Sequence, residues 1–207
     1  MAPIQAVIFD LGKVLIDFDH MTAARKIALV ARKPPRQIYD LFSGSSLVRS
    51  FEQGDISAEA FFIGVQQRVD LDIPFEQFAA IWNNIFYMTA DNEAVYGLLA
   101  ALRPKYTLAM LSNINILHYG FLKEAMPVFD RFHHLFASCE MGVTKPDARI
   151  YRMALERLAV EPGAAFYTDD RPEMVDAACA LGIQAFVYTG FGQLERDLAR
   201  CGVSTGA

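Results

Sequence analysis

Four short polar clusters close apolar stretches of this chain: Asp10, Ser112-Asn113, Lys145 and Asp169-Asp170. Their chemistries complement one another. Carboxylates suit a hard cation, which takes oxygen ligands, whereas a hydroxyl and an amide suit hydrogen bonds to an anion and an ammonium offsets its charge. Together the set suits a phosphoryl group accompanied by Mg2+, provided that the fold gathers residues lying far apart in sequence.

The elements between them predict such a gathering. Residues 6–9, 107–111, 135–139, 165–168 and 184–188 are short apolar runs that end on or lead to polar or glycine residues, as buried parallel strands do. Val95, Leu98, Leu99 and Leu102 recur at helical spacing, and so do Met174, Ala177, Ala178 and Leu181. Pro146 and Pro172 suit the first turn of a helix, Glu173 the positive end of its dipole, and Gly182 a C-terminal cap. Strands alternating with helices predict an α/β fold with a parallel sheet of about five strands. In such a sheet ligands bind at the carboxyl ends of the strands, near the reversal of strand order. Asp10, Ser112-Asn113 and Asp169-Asp170 fall at that edge, and Lys145, before a helix expected to open at Pro146, is placed to join them.

Residues 17–89 break the alternation. They read as consecutive helices over 21–31, 36–42, 57–69 and 75–87, joined by turns at 32–36, 43–46 and 70–74, with no buried strand. The expected organisation is a discontinuous α/β core, residues 1–16 and 90–207, around an all-helical insertion, residues 17–89.

Taken in order, Phe9-Asp-Leu-Gly-Lys-Val14, Leu111-Ser-Asn113, Lys145-Pro-Asp-Ala-Arg-Ile-Tyr151 and Thr168-Asp-Asp170 resemble the four motifs of the haloacid dehalogenase superfamily of aspartyl-nucleophile hydrolases. The resemblance spans essentially the whole chain and points to the branch with a helical cap inserted after the first motif. Each motif is weak alone, and four in order are a strong signal. The first and third look most like those of bacterial sugar-phosphate phosphatases, including those acting on α-glucose 1-phosphate. The resemblance implies a Rossmann-like core and a small helical cap. It makes Asp10 the nucleophile that forms an aspartyl-phosphate and also a ligand of Mg2+, with the backbone carbonyl of Gly12 and the carboxylate of Asp170. Asp169 would act through water, as an alternate ligand, or by orienting Lys145. Ser112 and Asn113 would hydrogen-bond the phosphoryl oxygens and Lys145 would offset their charge, which is where most phosphoryl-transfer catalysis lies.

One departure matters. Most phosphatases of this superfamily have a second Asp two residues after the nucleophile, acting as general acid and base, and here that position is Gly12. A positioned acid is worth about 10²- to 10⁴-fold. The expected substrate therefore has a comparatively good leaving group, such as the anomeric oxygen of a sugar 1-phosphate.

Other candidates read as structural. His133 and His134 are adjacent, so in a strand they point to opposite faces and cannot readily share an ion. His20 and His118 have no ligand partner in sequence, Asp17 and Asp19 read as solvated, and Lys13 is the one further residue of the Asp10 loop that could meet substrate. The aromatics of the insertion, among them Phe51, Phe61, Phe78 and Trp82, recur at roughly helical spacing and read as its core.

Composition narrows the function classes. The 207 residues hold 19 Lys and Arg against 24 Asp and Glu, a net charge of −5, which argues against a polyanion partner such as nucleic acid. Cys139, Cys179 and Cys201 are widely spaced and form no CxxC, so neither a disulfide framework nor a zinc site is expected. No basic segment precedes the first apolar run, and no run approaches the ~18 apolar residues of a membrane span. The expectation is a cytoplasmic, soluble hydrolase, monomeric or homodimeric, acting on a small phosphorylated metabolite without membrane or nucleic-acid partners. Two alternatives remain open: a 2-haloacid dehalogenase working without metal, and a weakly catalytic relative binding a phosphometabolite or a protein.

Overall fold

A computed structural model describes residues 2–205. The first strand, β1 (Ala6–Phe9), is buried along its whole length, because an Ala-Val-Ile-Phe run has apolar side chains for both faces of a sheet. The chain then crosses a tight loop to a short strand, β2 (Asp17–Phe18), and enters five helices: α1 (His20–Ala28), α2 (Pro35–Phe42), α3 (Ser46–Gln53), α4 (Ala58–Val69) and α5 (Phe75–Asn83). It returns through β3 (Phe86–Tyr87), antiparallel to β2, into α6 (Ala90–Leu102), β4 (Thr107–Ser112), α7 (Ile116–Ala125), β5 (His134–Ala137) and α8 (Ser138–Met141). The remainder is α9 (Ala148–Leu158), β6 (Ala165–Asp169), α10 (Pro172–Cys179), β7 (Gln184–Val187) and α11 (Phe191–Arg200).

Five strands form one parallel sheet in the order β5-β4-β1-β6-β7. Alternate residues face opposite layers. Val7, Phe9, Leu108 and Met110 pack with Val95 and Leu99 of α6 and Leu198 of α11. Ala6, Ile8, Leu111 and Tyr167 pack on the other face with Ile150 and Ala154 of α9 and Val175 of α10. From β1 the chain moves outward through β4 and β5, then returns to β6 on the far side of β1. The order therefore reverses between β1 and β6, whose carboxyl ends bear Asp10 and Asp169.

Helices α1 to α5 enclose a third apolar cluster that includes Ile27, Ile38, Phe42, Phe51, Phe61, Phe78 and Trp82. Its aromatic rings touch: Phe51 stacks on Phe61 with centroids 4.3 Å apart, and Phe42 meets Trp82 edge-on at 4.7 Å.

Several elements depart from the sequence reading. Helix α3 was not expected; it starts where Ser45 accepts the amide of Val48 and ends at Gly54, whose φ is 80°. The helix expected over 75–87 stops at Asn83, because Phe86 and Tyr87 pair with the strand leaving the core. The helix expected over 21–31 begins one residue earlier, at His20, since Asp19 caps it with a 2.8 Å bond from the amide of Met21, and it ends at Ala28. Strand β5 ends at Ala137, where Ser138 starts the short α8. The helix expected to open at Pro146 starts instead at Ala148, because Asp147 is the cap, accepting the amide of Arg149 at 2.8 Å. No helix among the described residues is long and apolar enough to cross a membrane.

Candidate active site

The site is built around one ammonium. Lys145 Nζ lies 2.8 Å from Asp10 Oδ1, 2.6 Å from Asp169 Oδ2, 2.9 Å from the carbonyl of Leu111 and 3.1 Å from the hydroxyl of Tyr167. Lys145 is 4% exposed, Asp10 7% and Asp169 0%, so these charges persist only because they are paired and hydrogen-bonded. Tyr167 donates to Asp169 Oδ2, and burial followed by the Asp169 charge holds its phenol well above the usual range. Burial opposes the Lys145 charge, yet Asp10 and Asp169 more than offset it and the net shift is upward.

The carboxylates outnumber the ammonium. Burial pushes Asp10 up to about 6, Lys145 opposing and Asp169 adding to the rise, and burial also raises Asp170, with Asp169 adding. Asp10, Asp169 and Asp170 each offer an oxygen within 4.8 Å of the others. Three acidic groups against one base, all oxygen donors, fit a hard divalent cation. Such a cation would reverse the upward pressure on the carboxyls.

The neighbouring loops fix this geometry. The amide of Asp10 donates to the carbonyl of Thr168 at 2.9 Å, tying the ends of β1 and β6 together. Gly12 lines the cleft beside Asp10, and a Cβ there would lie 2.7 Å from the Phe18 ring. The loop is thus packed for a residue without a side chain. Ser112, buried at the end of β4, faces the same cleft. Asn113 lines that cleft beside Ser112. Its carboxamide clasps the backbone of Lys145, accepting from the amide at 2.7 Å and donating to the carbonyl at 2.9 Å. Asn113 therefore positions the loop that delivers the ammonium.

Of the other residues singled out from sequence, Lys13 turns away. Its ammonium bonds Asp17 at 2.6 Å and the Phe18 carbonyl at 3.0 Å, beside a second hollow lined by Asp91 and Tyr188 that borders the cleft at Asp170. His118 is a seam residue: Nε2 lies 3.0 Å from the Trp82 carbonyl, Nδ1 lies 3.0 Å from the Asn115 amide nitrogen, and the ring stacks on Trp82 at 4.8 Å. Those partners make Nε2 the donor and Nδ1 the acceptor, and burial lowers the group to about 3. His133 accepts the amide of Leu108 at 2.9 Å and His134 stacks on Phe136, so the adjacent histidines share nothing.

A cleft of about 300 Å³ opens over Asp10, Ser112 and Lys145. The opposite wall comes from the helical segment and includes His20, Tyr39 and Glu52. None of these three had a motif to announce it. Ser45 and Gly54, spaced as caps around Leu47, Val48 and Phe51, were the signal for the helix bearing Glu52.

A family model described as haloacid dehalogenase-like hydrolase matches residues 4–182. A D-ribitol-5-phosphate phosphatase of Bacteroides thetaiotaomicron is 23% identical over 189 residues, covering 88% of this chain and 91% of that protein. A sesquiterpene phosphatase of Aspergillus oryzae is 26% identical over 180 residues, covering 86% and 87% respectively. Among solved structures, a HAD family enzyme of Bacteroides thetaiotaomicron in complex with magnesium and inorganic phosphate superposes with a TM-score of 0.79 at 26% identity, over 90% of this chain and 95% of that one.

Proposed function

Because this chain belongs to the haloacid dehalogenase-like hydrolases and the relatives it matches over most of their length include phosphatases, we propose that it hydrolyses a small sugar or polyol phosphate with Mg2+ through an aspartyl-phosphate on Asp10. In this reading residues 17–89 form a cap over a core of residues 1–16 and 90–207. The observation that supports it most is the carboxylate excess at the strand-order reversal, three acidic side chains around one buried ammonium beneath an open cleft.

Asp10 and Asp170 would hold the cation with the carbonyl of Gly12, and Asp169 would orient Lys145. When bound, Mg2+ supplies charge neutralisation that lets an anionic nucleophile approach an anionic phosphate; at ~4 Å two bare charges repel by roughly 4 kcal/mol at an effective dielectric of 20. A carboxylate oxygen of Asp10 attacks phosphorus and the bond to the leaving oxygen breaks. Lys145 and the Ser112 hydroxyl stabilise the phosphoryl oxygens as charge spreads over them. Water then attacks phosphorus, releasing phosphate and restoring Asp10. A metal-free haloacid dehalogenase would leave Asp170 without a task.

The test is phosphate release from sugar phosphates, polyol phosphates and nucleotides, with Mg2+ or EDTA. Release should need Mg2+ and vanish in Asp10→Asn. Absence of Mg2+-dependent turnover on every phosphoester would overturn the proposal, and halide release from 2-haloacids in EDTA would replace it.

A further inference from the structure

The site as described lacks a proton donor for the leaving group. Asp10 is the attacking group, Lys145 is held in its charged form by Asp10 and Asp169, and Asp169 is enclosed beneath Lys145 and Tyr167. Gly12 cannot supply one, and the Phe18 ring occupies the place of its Cβ. The leaving oxygen points away from Asp10 in an in-line displacement, towards the cleft wall built by α1 to α3. An acid belongs on that wall.

We infer that Glu52 is that acid, a catalytic carboxyl delivered by the cap in place of the residue missing at position 12. The inference rests on the phosphatase reading above. Glu52 stands in the last turn of α3 and faces the cleft shared by Asp10, Ser112 and Lys145. Its height above the site is set by the core: the Ser138 hydroxyl donates to the Glu52 carbonyl at 2.5 Å and accepts the amide of Ile114 at 2.9 Å. Ile114 lies two residues beyond Ser112, so one hydroxyl ties the β4 edge to the helix that presents the carboxyl. The turn after Glu52 is equally close, since a Cβ on Gly54 would collide with the Cys139 carbonyl.

The carboxyl itself makes no hydrogen bond or ion pair among the described residues. The cations that face it are Arg49 on its own helix and Lys145 and Arg171 from the core; His20 and Tyr39, from α1 and α2, line the same cleft. Burial outweighs the three cations and pushes Glu52 up to about 7, so a fraction is protonated at neutral pH. An acid of that strength matches the pH at which it works. His20 is the competing group, but burial lowers it to about 4, so near neutral pH it is an uncharged imidazole and not an acid of matching strength; its ring is packed against Phe18 and Trp82 with centroids 5.2 and 5.7 Å away.

The step balances. As the bond between phosphorus and the leaving oxygen breaks, that oxygen takes the proton of the Glu52 carboxyl, giving a neutral alcohol, a Glu52 carboxylate and Asp10 acyl phosphate. The carboxylate then takes a proton from the attacking water as the water oxygen bonds phosphorus and the bond from phosphorus to Asp10 breaks, which releases inorganic phosphate and restores both residues. With this acid in place the substrate needs no activated leaving group, and a primary alkyl phosphate serves.

The experiment compares wild type, Glu52→Gln and Glu52→Asp on ribitol 5-phosphate and on 4-nitrophenyl phosphate, whose phenolate leaves without a proton. Glu52→Gln should lose about 10²- to 10⁴-fold in kcat on the alkyl phosphate. On the aryl ester it should keep a rapid burst of one nitrophenolate per active site followed by slow turnover, because only the second step needs the base. Glu52→Asp should recover part of the alkyl activity, and the fall in wild-type kcat/KM above about pH 7 should be absent in Glu52→Gln. Alkyl-phosphate turnover within about threefold of wild type overturns the inference, as does equal loss of burst and alkyl activity in a folded variant. A wild type inactive on both esters and on every other phosphoester with Mg2+ instead removes the phosphatase reading itself.

Discussion

Lys145 separates two buried carboxylates that would otherwise repel across a few ångströms, so its removal tests how the site is held together. Lys145→Met leaves Asp10 and Asp169 buried without their cation, and losing one partner of a buried pair costs about 3 to 5 kcal/mol. Urea denaturation should register that loss, and phosphatase activity should fall by about 10²- to 10³-fold, as when one preorganised donor to a developing charge is deleted. An unchanged midpoint would show that Asp10 and Asp169 neutralise each other by sharing a proton. Metal removal probes the remaining carboxylate. Mg2+ bound only by the folded state raises the melting temperature by mass action; that rise should be present in wild type and lost in Asp170→Ala, measured without substrate. The convergence of Asp10, Ser112, Lys145 and Asp170 was legible from sequence because the first, second and last stand at strand ends on one sheet edge and Lys145 lies in the loop before a helix on that edge. The clasp that the Asn113 carboxamide makes was not, since holding a backbone 32 residues away leaves no local pattern.

At the scale of elements, parallel strands announce themselves as continuous apolar runs, whereas a short helix with few apolar positions, such as α3, does not. Strand β1 could be read from four residues; α3, with Arg49, Ser50, Glu52 and Gln53 among its eight, could not, and Glu52 was missed with it. Its closing residue is the place to test its importance. Gly54 has φ of 80° and no room for a Cβ against Cys139, so Gly54→Ala should cost about 1 to 3 kcal/mol in a denaturant midpoint. It should also depress turnover of alkyl phosphates more than the aryl burst, since α3 sets the position of Glu52. The seam between α5 and α7 gives the pH dependence. His118 is 5% exposed, and burial lowers it from 6.5 to about 3. The unfolded chain then takes a proton below pH 6.5 that the folded chain refuses. Stability from this group is complete above pH 6.5 and is lost towards pH 3, at up to about 1.4 kcal/mol per pH unit. Denaturation at pH 7, 5.5 and 4.5 should show that slope, and His118→Gln should flatten it.

For the whole molecule, the decisive feature is that the helical segment has its own apolar cluster, distinct from those on the two faces of the sheet. The two parts meet through apolar contacts of Leu117 and Phe86 with the helical cluster and through polar seams: Ser138 on Glu52, and His118 and Asn115 on Trp82. Such seams are directional and contribute roughly a kilocalorie per hydrogen bond, far less than either apolar cluster. A long insertion could be recognised from its helical periodicity, but not its seating, because the residues that seat it are isolated polar side chains. Asn115 joins the most functions there. Its carboxamide caps α7 by accepting the amide of His118 at 3.0 Å, holds His118 Nδ1 at 3.0 Å, and lies 3.5 Å from the indole nitrogen of Trp82. Loss of a helix cap costs about 1 kcal/mol, and here the same change also frees His118 and Trp82. Trp82 is the single tryptophan of the chain and lies in the helical cluster, so its fluorescence reports that part, whereas far-UV ellipticity reports the whole. In wild type both signals should change at the same urea concentration, as one cooperative unit requires. In Asn115→Ala the fluorescence should change first, because the helical part is released while the sheet persists. Coincident transitions in the variant would mean that the apolar contacts alone lock the two parts together, leaving the polar seam to set the placement of Glu52 over Asp10.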